Sequence, residues 1–546
     1  MAKPDKVIGG DQVNQLDLHQ GSRTQLLYPV ATYSVITSLA EITMTTTGHL
    51  RAFEMGIDTH EELVVYMRMD CDVCKAEGFA ANARLQIQAG EKTLIATLNT
   101  VTLSALPAGT IGFSVSAWRH LNLIADQPIT VRHAPVVRSL SALRKKIYGN
   151  SLGASEIAAI INDIHQGHYS DIHIASFVTS CAGGNLSVDE TVALTQAMID
   201  AGGRLSWPGY ARIYDKHCVG GLPGNRTTPV VIAIASAAGL VIPKTSSRAI
   251  TSPAGTADTM EVLTTVDLSL TQLQTVVRQT GACLVWGGRI KLSPTDDVLI
   301  RIERALDLDG EGQLVASVLS KKIAAGSTHI LIDIPVGPTA KVRDNAQAER
   351  LSHLFYAVAR SFDVHLRCVV TDGSQTVGNG IGPGEEARDV MAVLQNRVDA
   401  PADLIQRSLL LAANLLSMAS GEELDVTLEQ AKDILFSGKA WMQFQRICDA
   451  QGGLKTIAVP AYHAELNTDR NGRLLTTDNR RLAQLAKLAG APSSPTAGVR
   501  LHVKAGQPVS KGQCLATLFA ATPGELAYAL DYYQHNRDLF QIENAM

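Results

Sequence analysis

Apolar and polar positions alternate in two rhythms along this chain, and the change of rhythm divides it. From about Val64 to His133 the period is two. Leu85-Gln86-Ile87-Gln88, Leu94-Ile95-Ala96, Ile111-Gly112-Phe113-Ser114-Val115 and Ile129-Thr130-Val131 are parted by turn signals at Ala89-Gly90 and Pro107-Ala108-Gly109. Short alternating runs at this spacing predict a small β-barrel. After Ser139 the period turns helical. Ser155-Glu156 opens a run with Ile157, Ile160, Ile161 and Ile164 on one face, and Ser187-Val188-Asp189-Glu190 is a capping box ahead of Val192, Leu194 and Met198. From Asp215 onward, Cys283-Leu284-Val285-Trp286, His329 to Ile334 and Leu366 to Val370 are apolar-rich segments, each ending in a Gly- or Pro-rich loop. With Val241 they predict buried strands of a largely parallel sheet, whose ligands bind at the carboxyl ends of the strands.

The predicted whole is a multidomain α/β protein. Residues 1–55 are an extension without a readable pattern, with a Thr-rich stretch at Thr43 to Thr47. A β-rich N-terminal domain follows at 56–137. A helical subdomain at 138–206, joined by about 298–325, packs across a cleft from an α/β domain at 207–455. An α+β unit closes the chain at 456–546. Within it Val503 to Leu515 resembles the hammerhead half of biotinyl and lipoyl domains, without the exposed-lysine turn that a carrier needs.

The chemistry concentrates in two loops. Lys216-His217-Cys218-Val219-Gly220-Gly221 runs on through Gly224-Asn225-Arg226-Thr227-Thr228-Pro229, and Lys244-Thr245-Ser246-Ser247-Arg248 runs on to Gly255-Thr256-Ala257-Asp258. Glycines admit close backbone approach, and hydroxyls and cations add donors. Thr228 and Pro229 read as N-cap and N1 of a helix that stops at Gly239, so the first loop sits at a helix N-terminus. Two such loops predict an oxyanion site, most simply for phosphate, rather than two ordinary turns. The lysine precedes the glycines, so this is not a P-loop, and GxGxxG is absent. Ser317 and Lys321, four apart, share a helix face, either as a heterocycle-binding pair or as a solvated surface.

Composition narrows the partners. At 546 residues, 46% apolar and 18% charged, the chain is an ordinary globular protein of two to four domains. A net charge of −4 argues against nucleic-acid binding, while a phosphate site needs only local cations. There is no run of 18 apolar residues, and Met1 to Lys6 lacks a signal-peptide core, so no membrane association and a cytoplasmic location are expected. Among eight cysteines, Cys71-Asp72-Val73-Cys74 is the only CxxC pair, too little for a metal site or a disulfide scaffold.

The two loops resemble those of the thymidine phosphorylase family of pentosyltransferases, which carries Lys-His-Ser-x-Gly-Gly and then Ser-x-Arg…Gly-Gly-Thr-x-Asp. The wording Lys-Thr-Ser-Ser-Arg-Ala-Ile-Thr-Ser with Ala-Gly-Thr-Ala-Asp is closer to the AMP phosphorylase branch. The resemblance runs from about Ser139 to Phe540 and is strongest from Asp215 to Val342. It implies a phosphorylase acting on a nucleoside or nucleoside 5′-monophosphate. AMP to adenine and ribose 1,5-bisphosphate is the first expectation, and thymidine to thymine and deoxyribose 1-phosphate the alternative. An anthranilate-type phosphoribosyltransferase using Asp296 and Asp297 for a metal, or a carrier protein, would be different classes.

By the same resemblance Lys216, Cys218, Gly221, Thr228, Ser246, Ser247, Arg248 and Thr256 hold phosphate. Ala249, Ile250, Thr251, Ser252, Arg304, Ser317, Lys321 and Lys341 contact the substrate, His217 lies beside base or sugar, and Asp309 is the proton donor. No metal or cofactor is implied: inorganic phosphate is the co-substrate, and a homodimer or higher homo-oligomer is expected. Two positions depart from the family. Cys218 stands for its serine, and Arg301 for the tyrosine of thymidine phosphorylases, which adds a cation and leaves room for a 5′-phosphorylated substrate.

Overall fold

In a computed structural model, described over residues 50–102, 105–249, 252–308 and 310–544, the period-two segments close on themselves. Strands β1 (Leu50–Glu54), β2 (Val64–Arg68), β3 (Arg84–Ala89), β4 (Lys92–Val101), β5 (Thr110–Phe113) and β6 (Pro128–His133) form a barrel in the order β1-β5-β2-β4-β3-β6. The last bond of the ring pairs Leu50 with Ile129. Met67, Leu85, Ile87, Leu98, Ile111 and Phe113 fill it. The barrel thus begins at Leu50, within the segment expected to be an extension. The Thr43 to Thr47 stretch lies outside the described residues. Two short helices, α1 (Asp72–Glu77) and α2 (Val115–Leu121), plug the loops.

Helices α3 (Leu140–Ile147), α4 (Ala154–His165), α5 (Asp171–Cys181) and α6 (Val188–Asp200) follow. The cap of α4 is Gly153, ahead of the expected Ser155, with Glu156 reaching back to its N–H. The Ser187–Glu190 capping box forms, and Glu190 also pairs with the buried Lys146 at 2.6 Å, tying α3 to α6.

The α/β lobe contains β7 (Tyr214–Cys218), α7 (Thr227–Ala237), β8 (Ile242–Ser246), α8 (Thr256–Leu263), α9 (Leu270–Thr280) and β9 (Ala282–Trp286). Helices α10 (Pro294–Leu306) and α11 (Glu311–Ala324) then return to the helical lobe, where Leu299, Ile302 and Ala316 join its core. The chain re-enters the α/β lobe with β10 (His329–Val336), α12 (Asn345–Arg360), β11 (His365–Asp372), β12 (Gly380–Ile381) and α13 (Pro383–Leu394). Three further helices, α14 (Ala402–Ser420), α15 (Leu424–Phe436) and α16 (Lys439–Ala450), wrap α7, whose residues Val230–Ala235 are fully buried. Helix α7 starts at Thr227 after Arg226, so Thr228 lies in its first turn rather than at its cap.

The expected single parallel sheet is two parallel pieces, β11-β10-β7 and β8-β9. Between β7 and β8 the Tyr214 N–H reaches Val241 O at 2.9 Å. Beyond it no ladder joins the two described strands, and Lys244 Nζ lies 3.0 Å from Asp215 Oδ1. The C-terminal unit is α+β, and its four-stranded sheet includes β12 from the α/β lobe. No helix among the described residues is long and apolar enough to cross a membrane.

Candidate active site

Strands β7, β8 and β9 deliver their carboxyl ends to one cavity of about 530 Å³, facing α10 and α11 of the helical lobe. Lys216, His217, Cys218, Gly221, Thr228, Ser246, Ser247, Arg248, Ala249, Ser252, Thr256, Arg304, Ser317, Lys321 and Lys341 all line it. Ile250, Thr251 and Asp309 lie outside the described residues. Eight lysines and arginines line the cavity against three carboxylates, so a chain of net negative charge holds a locally cationic site.

Two glycines set its shape by close approach. Gly221 has φ +91°, and a Cβ there would come within 2.4 Å of Lys341 N, so only glycine lets the Lys341 loop close on the first loop. A Cβ on Gly255 would sit 2.6 Å from the Ser247 carbonyl oxygen.

Beneath the loops lies a buried ionic layer. The Lys216 ammonium donates to Thr227 Oγ1 at 2.8 Å and lies 3.6 Å from Asp333, which also accepts from Thr371. Asp215 is held between Lys244 and Lys322 at 3.0 and 2.9 Å. Lys322, on α11, also donates to Thr245 O, so it joins the two lobes. Burial and the neighbouring lysines, Lys322 first, hold His217 well below the usual histidine range, leaving the imidazole neutral. Burial beside Asp333 pushes the Cys218 thiol up to about 12, so it is a protonated group that accepts from Asn225 Nδ2, not a nucleophile. The Ser246 hydroxyl is buried and finds no protein partner, as expected of a donor aimed at a ligand.

Several expected contacts are engaged inside the protein instead. Arg248 lines the cavity while pairing with Glu261 at 2.5 Å and Asp258 at 3.2 Å and lying over the Trp286 ring, so its charge is shared with the loop that carries it. Asp258 accepts the Ala249 and Gly255 N–H groups, and the Ser252 hydroxyl turns to Ala254 O. Arg301 is bound by both oxygens of Asp171, at 2.6 and 2.7 Å, and does not line the cavity, so it adds no cation for a substrate phosphate.

On the facing wall Ser317 and Lys321 do share a face of α11, and Asp296 holds both. Ser317 Oγ donates to Asp296 Oδ2 at 2.9 Å, and the Lys321 ammonium pairs with the same oxygen. Burial works against the Lys321 charge, but Asp296 and Asp297 hold its pKa above the usual lysine value. The carboxylate considered for a metal is thus tied to a lysine.

Residues 140–202 match the helical bundle domain of the glycosyl transferase family, and 210–308 its a/b domain. Residues 474–539 match the pyrimidine nucleoside phosphorylase C-terminal domain. A protein of Acidovorax sp. (strain JS42) named "Putative thymidine phosphorylase 2" is 52% identical over 91% of this chain and 96% of its own length. The chain belongs to the thymidine phosphorylase family of pentosyltransferases. A relative from Polaromonas sp., named "Putative thymidine phosphorylase", is 53% identical over 88% of the chain and 94% of itself. The anthranilate phosphoribosyltransferase of Thermus thermophilus superposes with a TM-score of 0.47 and 17% identity, over 57% of this chain and 99% of its own. As a member of this phosphorylase family, the protein is a pentosyltransferase that transfers a pentosyl group from a base to phosphate.

Reading the sequence assigned no role to Lys322, placed Arg226 and Lys244 only as members of the two loops, and considered Asp296 only as a metal ligand. Their partners are distant in the chain, and no local spacing marks them.

Proposed function

We propose that the protein cleaves pyrimidine nucleosides of the thymine or uracil type with inorganic phosphate, thymidine first, giving the free base and an α-pentose 1-phosphate. The observation that carries this is the Ser317 bond to Asp296. A hydroxyl that gives its only proton to a carboxylate presents lone pairs to the cavity, so it accepts. Lys321 and Arg304 only donate. One acceptor together with donors complements the C=O, N–H, C=O edge of thymine or uracil, and the acceptor opposes the acceptor N1 of adenine. The names of the relatives and the C-terminal domain match agree with this reading.

In the reaction, a phosphate oxygen held by Lys216, Ser246, Thr256 and the first-loop backbone attacks C1′. The C1′–N1 bond breaks and its electron pair stays on the base. Lys321 and Arg304 stabilise the anion that forms, which is where donors lower the barrier. Neutral His217 binds the sugar or base by hydrogen bonding without adding charge. Direct attack inverts the anomeric centre. No metal is assigned a role.

A second reading, AMP phosphorolysis, is favoured by one feature. Burial, and then the charge of Arg304, lower the pKa of Lys487, so a second cation stands near the cavity-lining Arg304. In that case Asp309 would protonate the departing purine, and Asp309→Asn would slow AMP cleavage about 10²–10⁴-fold. The deciding experiment incubates the protein with phosphate and thymidine, uridine, AMP, CMP or UMP and follows free base. Brisk thymidine or uridine cleavage is expected. Cleavage of AMP alone would overturn the pyrimidine assignment.

A further inference from the structure

Arg226 stands between the two phosphate loops, and its guanidinium touches three separate elements. Nε lies 2.6 Å from Glu386 Oε2 on α13, Nη1 donates to Thr256 Oγ1 at 2.9 Å, and Nη2 donates to Ala254 O at 3.0 Å. Glu386 is 1% exposed and also accepts from the Thr259 hydroxyl at 3.1 Å and the Gly382 N–H at 3.2 Å. Its orientation is therefore over-determined, and it locks the arginine fork in turn.

Thr256 is the first residue of α8 and lines the cavity. A hydroxyl has one proton. Because Arg226 donates to Thr256 Oγ1, that oxygen is an acceptor on its inner side. No described residue accepts its proton, which is left for the cavity.

We propose that Arg226 and Glu386 form a positioning pair that fixes the Thr256 hydroxyl as a donor to the phosphate nucleophile and couples both loops to α13. Arg226 acts through Thr256 and need not touch phosphate. This rests on the reading of Thr256 as a phosphate contact. The pair spans 160 residues of sequence, so neither loop motif contains it. Glu385, the neighbour of Glu386, is bound by Arg500 of the C-terminal sheet at 2.6 Å, which steadies α13 from its other side.

The test is a double-mutant cycle on the full chain with inorganic phosphate as the varied substrate. Thr256→Val, Arg226→Lys and the double variant are compared, with Glu386→Gln as a second way to loosen the arginine. Lysine keeps the charge and can still meet Glu386, but it lacks the fork that reaches Thr256 and Ala254 together.

Arg226→Lys and Glu386→Gln should each raise the phosphate KM about tenfold, the loss expected for one strong hydrogen bond. The nucleoside KM should stay within about twofold, a split that general loosening of the fold would not produce. In the Thr256→Val background, Arg226→Lys should add nothing. A full, additive loss in that background would overturn the positioning role and make Arg226 a direct ligand. An unchanged phosphate KM in Arg226→Lys, with Thr256→Val impaired, would overturn the pair alone. Thr256→Val with normal phosphate kinetics would instead refute the reading of Thr256. Thermal melting of each variant identifies any that fails to fold, and Glu386→Gln then carries the comparison.

Discussion

The floor and the facing wall of the cavity are built on opposite plans. The floor rests on a dry layer in which Lys216, Lys244 and Lys322 interleave with Asp215 and Asp333, all nearly inaccessible. Above that layer lie the Ser246 hydroxyl, buried without a protein partner, and glycine turns shaped by close backbone approach. Among the described residues the wall has no such layer. Ser317 and Lys321 both lean on one carboxylate, Asp296, and their polarity toward a ligand is set by what they give to it. A preorganised floor suits an invariant tetrahedral anion, since fixed donors need no rearrangement as charge moves. A wall whose polarity is set by one residue suits a choice among bases.

The comparison breaks most visibly at Lys216. Lys216→Met removes the cation proposed to hold phosphate and takes the ammonium away from the buried Asp333. We expect kcat/KM for phosphate to fall about 10²–10³-fold, with stability reduced by about 3 kcal/mol, read by steady-state kinetics and urea denaturation. A variant with unaltered phosphate kinetics would show that the layer is scaffold only. On the wall, Lys321→Ala should raise the nucleoside KM about tenfold and leave the phosphate KM nearly unchanged. Equal changes in both constants would erase the division between floor and wall.

A smaller effect tests the floor's support. His329 stacks on His365 at 4.7 Å and meets Tyr214 in a tilted contact at 4.8 Å, at the start of the central strands. Burial, then His365 and Arg212, lower its pKa to about 4. The unfolded chain therefore binds the proton first. The stability this site contributes is present above about pH 6.5 and is lost as pH falls toward 4. His329→Phe should flatten the melting temperature against pH across that window, and an unchanged slope would refute the shift. The smallest expected effect is none: activity should survive exhaustive chelation, because lysines neutralise the phosphate. Loss restored by Mg²⁺ would move the wall carboxylates Asp296 and Asp297 into a metal-dependent phosphoribosyltransferase reading.

The loops were legible because anion binding leaves a local mark: glycine, hydroxyl and cation within a few residues. The Ser317–Lys321 face was legible because helical period makes i and i+4 neighbours. What escaped was whatever depends on a partner elsewhere. Arg248, read as a phosphate ligand, lines the cavity but is also paired with Glu261 and Asp258. Arg301, read as an extra cation, is neutralised by Asp171, 130 residues away. The single sheet became two because the β7 and β8 backbones meet at one hydrogen bond, Tyr214 N–H to Val241 O, and otherwise through the side chains of Asp215 and Lys244.

The sequence by itself determined the element types, the barrel, the helical lobe and the two loops, since each follows from periodicity or from residues within one turn of each other. The tertiary structure alone decided which cations face the cavity, which way the Ser317 and Thr256 hydroxyls point, and how Arg226 reaches Glu386. Those outcomes depend on pairing buried charges across distant segments. A charge removed from water takes the nearest compensating partner in space, whatever its place in the chain.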